Sequence, residues 1–227
     1  MSTGRIAATA GWLTLAAILL SEVIVPSLLI GLPPTGSTDR AVVEAYYGHE
    51  VLLALGLVAN VTIIGFLVFV TALRELLVRH RGAALWANAG FAFAIVAAAL
   101  LLVRSAIQMA LVRGVATGND VMPTFFALDF TYNSALDAME ASYPFAFAMA
   151  MNAWPGTPRW LLGLGAMVAV LRLASMASLV VGLPMAATLP GTLAFVAWFA
   201  ATAWLVGRRG VTPGELAGEE GFEPSIP

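Results

Sequence analysis

Apolar runs of roughly twenty residues recur along the whole chain, and that recurrence decides what it can fold into. A hydrocarbon core about 30 Å thick is crossed by about 20 helical residues at ~1.5 Å of rise each. Inside lipid every backbone donor and acceptor must find a partner within the protein, so only helices and closed barrels span. The period-2 alternation of barrel strands is absent. The chain therefore reads as an all-α, polytopic membrane helix bundle. Its composition agrees, with 60% hydrophobic and 11% charged residues and a mean hydropathy of +0.91. A soluble domain carries about 25% charged residues.

Six transmembrane helices are expected, at residues 6–30, 50–73, 83–112, 122–151, 159–182 and 192–206. Glu22 and Pro26 interrupt the first. No small-residue cleavage site follows its apolar run, so it reads as a retained helix rather than a signal peptide. Residues 40–48 form either a short interfacial helix or an extension of the second span, with Tyr46 and Tyr47 suited to headgroup level. Asp120 and Pro123 signal the start of the fourth span, and Pro144 should kink it. Residues 1–211 would form one six-helix domain. Residues 212–227 are polar, acidic and unpatterned, and are expected to be disordered. Their end, Gly221 to Pro227, resembles the peptide made when a reading frame runs into a tRNA gene. Without the tail's four glutamates the chain holds 9 acids against 11 arginines, and its formal charge moves from −2 to +2.

Six spans put both termini on one side, and the distribution of arginine chooses the side. Arg5, Arg74, Arg79, Arg81, Arg159, Arg208 and Arg209 fall on the side of the termini; Arg40 and Arg113 fall on the other. Seven against two predicts a multi-pass protein of the cell membrane with its N- and C-termini cytoplasmic. Trp86, Trp154, Trp160 and Trp204 then lie near the inner interface, where a belt of aromatic residues is expected.

What the chain lacks excludes several chemistries. With no Cys there is no disulfide, thiol nucleophile, iron–sulfur cluster or cysteinyl zinc site. With no Lys there is no Schiff base. The two histidines, His49 and His80, are expected near opposite sides of the membrane, which argues against a haem held by paired His. No cofactor and no nucleic-acid partner is expected. The bilayer is the one firm partner, and oligomeric state is not readable.

The fourth span carries Asp129, Asn133, Asp137 and Glu140 at i, i+4, i+8 and i+11, on one face of a continuous helix. Charges at this depth cost roughly 2.5–3.5 kcal/mol each on insertion scales, and they need partners or water. Counting rise from the inner turn at residues 153–160 matches depths between helices. Arg172 falls level with Asp137 and Glu140. Arg104, with Gln108 one turn further on the same face, falls level with Asp129 and Asn133. Glu22 lies at an intermediate depth on the first span. Two arginines against four or five carboxylates do not balance. Either some acids carry protons, or the set opens to water, or it binds a cation.

The turn Pro158-Arg159-Trp160-Leu161-Leu162-Gly163 is similar to the Pro-Arg-Trp-Leu-Gly turn before the penultimate helix of a large bacterial family of six-helix membrane proteins, described as a domain of unknown function. Gly11-Trp12-Leu13-Thr14-Leu15 is a second, weaker likeness. The resemblance spans most of residues 6–210. It implies the six-helix fold and supplies no catalytic residues.

Three functions remain open from sequence. The polar cluster Glu22, Arg104, Gln108, Asp129, Asn133, Asp137, Glu140 and Arg172 can bind or transport a small solute or cation. It can instead lock helices together in a structural or regulatory subunit. A metal-dependent membrane enzyme is the third reading, with His49 and Glu50 as weak metal candidates and no HExxH motif to support them. The non-enzymatic readings are favoured.

Overall fold

The computed structural model describes residues 3–24, 28–31, 37–128, 133–180 and 189–209; the side chains of residues 21–23 and 178–180 are outside that set, as is the tail. The described chain is helical: α1 (Thr3–Ile18), which continues into a π-helical segment (Leu19–Ile24), α2 (Arg40–Tyr47), α3 (Val51–Leu77), α4 (Ala84–Ala116), α5 (Met122–Phe126), α6 (Asn133–Met151), α7 (Arg159–Val180) and α8 (Leu189–Arg209). Among the described residues four helices are long and apolar enough to cross a membrane: α3, α4, α7 over Arg159–Ala177, and α8. Helix α1 falls short because its α-helix gives way to π geometry, and α6 because its 19 residues include Asp137 and Glu140.

Six of the helices form a closed ring. Each of α1, α3, α4, α6, α7 and α8 packs on its neighbours in that order, and α8 returns to pack on α1. Small residues set the closing seam. A Cβ on Gly11 would lie 3.0 Å from the Ala203 Cβ, and one on Gly207 would lie 3.0 Å from the Ala8 Cβ. These pairs run in opposite directions along the two helices, so the start of α1 and the end of α8 lie at the same end of the ring.

The centre of the ring is filled with aromatic rings. Helices α3, α6 and α8 are not neighbours in the ring, yet Phe66 lies 5.5 Å from Tyr143 and 6.4 Å from Phe199. Tyr143 in turn lies 6.0 Å from Phe195 and 6.1 Å from Trp198. Such contacts can only be made across the axis. Trp198, Phe199 and Phe147 are wholly buried. Edge-on and tilted ring pairs at these separations stabilise the packing by about 0.5–1.5 kcal/mol each beyond area burial.

The two ends differ in charge. At one end lie the start of α1, the turn between α3 and α4, the turn between α6 and α7, and the end of α8. Trp154 ties three of these together: the His80 ring stacks on it at 5.5 Å and the Arg209 guanidinium sits over it at 4.8 Å. Gly82 and Gly156 make the two turns at positive φ, 88° and 73°, which a side chain would strain. At the opposite end α2 and α5 lie against α4. Asp39 caps α2 by accepting from the Ala41 backbone N–H at 2.9 Å. Val43 and Tyr47, one turn apart, bury against Leu111, Val112, Val121 and Phe125. Arg40 closes this face with a 2.7 Å ion pair to Asp120.

Three sequence expectations meet the structure here, and the one for Tyr47 changes. The stretch 122–151 is helical over Met122–Phe126 and Asn133–Met151, with residues 129–132, and so Asp129, outside the described set; of the four-residue face, Asn133, Asp137 and Glu140 stand on α6. Of the two readings for residues 40–48, the structure has the short separate helix, Arg40–Tyr47, ended at Gly48. Tyr47 is buried against Phe125 rather than turned to the headgroups, because α5 supplies the apolar partner that the sequence could not place.

Candidate functional site

Arg172 stands on α7, in the wall of the ring facing α6. Its position follows from the hairpin between the two helices. The turn at residues 152–158 makes them antiparallel, and Gly165 lets them approach: a Cβ there would meet the Ala148 Cβ at 2.5 Å and the Pro144 carbonyl at 3.1 Å. Two turns further along α7 the backbones are still close, and the side chains at that level are Arg172, Asp137 and Glu140.

The guanidinium bridges both acids. Nη1 donates to Asp137 Oδ1 at 3.0 Å, and Nη2 lies 2.6 Å from Glu140 Oε2. Asp137 and Arg172 are each 8% exposed, and Glu140 is half-buried. Charge-assisted hydrogen bonds of this length are among the strong ones, about twice a neutral pair. A planar guanidinium suits the task, since its two Nη atoms reach two carboxylates on successive turns of one helix. The Phe195 ring lies 5.4 Å beneath the guanidinium, and Gly191 allows the first turn of α8 to pass over the Arg172 stem. The site thus draws on three consecutive helices. Pro144, one turn below Glu140, runs within the helix and offers no N–H to the Glu140 carbonyl.

The depth count predicts Arg172 beside Asp137 or Glu140; the structure has it on both. Arg104 is half-buried on α4. The register set by the contact of Gly90 with the Phe147 ring carries Arg104 to the level of Asn133, and Arg104 acts electrostatically on Asp137 one turn below. Gln108 is half-buried on the same helix. Asp129 and the side chain of Glu22 lie outside the described residues. Among described side chains the cluster is therefore Asp137 and Glu140 with Arg172 in direct contact and Arg104 further off. In that described contact set two acids share one guanidinium.

His49 and Glu50 do not join this cluster. Both are exposed in the turn between α2 and α3. Among the described residues no group of three His, Asp or Glu is arranged to hold a metal ion. Sequence reasoning did not anticipate Phe195 or Gly165. Phe195 looks like any other apolar residue of its span, and Gly165 differs in no visible way from Gly163, beside which a Cβ would meet open space.

No protein-family model, curated protein or solved structure matches the chain.

Proposed function

We propose that this is a six-span protein of the cell membrane, with both termini cytoplasmic, in which Asp137, Glu140 and Arg172 form a binding site for a small solute or cation on a transport path open to the outer side. The observation that carries the reading is the 2:1 ratio of acids to guanidinium in direct contact. A cross-link between helices needs one carboxylate per arginine. The second leaves a formal charge of −1 in the contact set, which a cation, a proton or the field of Arg104 must offset. Ionisable residues at membrane depth read as functional for this reason.

The six-span count takes α1 with its π-helical extension and α6 as spans beside the four apolar helices. Ring closure supports it, since each of the six occupies an equivalent place. The orientation rests on the arginine count. The likeness of residues 158–163 to the bacterial six-helix family supports the same fold; Trp160 opens α7 with its ring exposed, as an interfacial anchor would be. The aromatic centre lies on the arginine-rich side of the site. It closes the axis there, so the reading is of a carrier-like site reached from one side at a time and not of an open pore.

A second reading has its own support. Arg172 engages both acids and rests on Phe195, which is how a helix-locking ion-pair cluster would look. Flux separates the two. Purified protein in liposomes holding a pH-sensitive dye is tested for proton and sodium movement under an imposed potential. The transport reading expects protein-dependent flux that falls at least tenfold in Asp137→Asn and Glu140→Gln. Flux unchanged in both variants removes these acids from the path and leaves the cross-link.

A further inference from the structure

The arginine-rich end of α7 and α8 carries a feature that the Arg172 cluster does not use. Gly165 meets Trp198, and Gly191 meets Arg172, which fixes α7 and α8 as antiparallel neighbours. Extending that register brings Arg159, the first residue of α7, level with Trp204 near the end of α8. Trp160 is 54% exposed and Trp204 45% exposed, and Arg159 and Arg208 are exposed beside them. The Arg208 guanidinium lies over the Trp204 ring at 4.8 Å. Among the described residues neither Arg159 nor Arg208 has a carboxylate partner. The one acid described at this end, Glu75, is held by Arg74 at 2.8 Å.

We propose that this corner, Arg159, Trp160, Trp204 and Arg208, is a binding site for the headgroup of an anionic phospholipid. The chemistry is amphipathic in the right order. Two cations stand at the helix ends, and two exposed indole rings lie just below them on the apolar surface. A lipid phosphate meets the arginines while its glycerol and first acyl carbons lie along the rings. Trp at a membrane interface favours this placement, with an apolar body and one polar N–H. An acidic protein segment would use the arginines and leave the indoles exposed. The site rests on the chain lying in a membrane and is independent of any role for Arg172.

The test uses the full chain, stripped of lipid in detergent, titrated with phosphatidylglycerol or phosphatidylcholine and read by native mass spectrometry. Phosphatidylglycerol should bind more tightly. Arg159→Gln and Arg208→Gln should each weaken it about fivefold, the contribution of one arginine at a membrane surface, with phosphatidylcholine unchanged. Arg113→Gln, at the opposite end of α4, should leave both lipids as they were. The preference should shrink as salt rises. Equal binding of the two lipids overturns the proposal, as does a preference untouched by both substitutions while the variants melt like the parent. Full competition by millimolar inorganic phosphate would assign the corner to a free anion and overturn the lipid assignment.

Discussion

Replacing Arg172 with Leu removes the one direct cationic partner that Asp137 and Glu140 have among the described residues. Asp137, 8% exposed, loses a 3.0 Å hydrogen bond, and Glu140 loses a 2.6 Å contact. Breaking a buried ion pair by deleting one partner costs about 3–5 kcal/mol, because the remaining charge stays desolvated. Here two charges are left, so the upper part of that range is expected, about a thousandfold or more in the unfolding equilibrium. Neutralising the acids as well should reverse most of the loss. The triple variant Arg172→Leu, Asp137→Asn, Glu140→Gln leaves polar but uncharged groups, and replacing a whole buried pair is often close to neutral. The assay is unfolding in detergent micelles, followed by tryptophan fluorescence for the parent, the single variant and the triple variant. A single variant as stable as the parent would refute the contact geometry. A triple variant no better than the single would refute the electrostatic account of it.

Other substitutions should rank in a definite order. Gly165→Ala places a Cβ 2.5 Å from the Ala148 Cβ and 3.1 Å from a backbone carbonyl, neither of which can swing aside, so it should cost about 1–3 kcal/mol in the same unfolding assay. Trp154→Ala removes the His80 stack and the seat of the Arg209 guanidinium; about 1–3 kcal/mol should be lost, with proteolysis of the turns at that end accelerated. Arg40→Ala breaks a 2.7 Å pair that is half exposed on both sides, and should change stability by about 1 kcal/mol or less. A larger effect would mean that the face formed by α2 and α5 bears more of the fold's stability than its solvent-screened clasp suggests.

Much of this architecture is legible in the sequence, for physical reasons that also mark where legibility ends. The helical class follows from the solvent, since lipid leaves few alternatives for the backbone. The contact of Arg172 follows from a constant rise per residue and a short turn, which together make depth countable from residues 153–160 outward. That count puts Asp129 on the face of Asn133 and Asp137 through residues 129–132, which lie outside the described set. Tyr47 reads as an interfacial residue until α5 is known to lie against it. Ring closure through Gly11, Ala203, Ala8 and Gly207 was also hidden, because these small residues look like the many others in the chain. The aromatic centre needs knowledge of which helices face one another across the axis, and no periodicity within a single helix contains that.

The account's central claim is that the Arg172 cluster is reached from the outer side and is not a sealed cross-link. The chain has no Cys, so an introduced thiol reports alone. The direct measurement is reaction of Glu140→Cys, in right-side-out membrane vesicles, with a charged thiol reagent that cannot cross the bilayer. The account predicts labelling from outside, slowed by a saturating concentration of the transported cation or solute. A thiol that stays unlabelled from either side in folded protein, yet reacts fully once the protein is denatured, would contradict it and leave Arg172, Asp137 and Glu140 as a lock between helices.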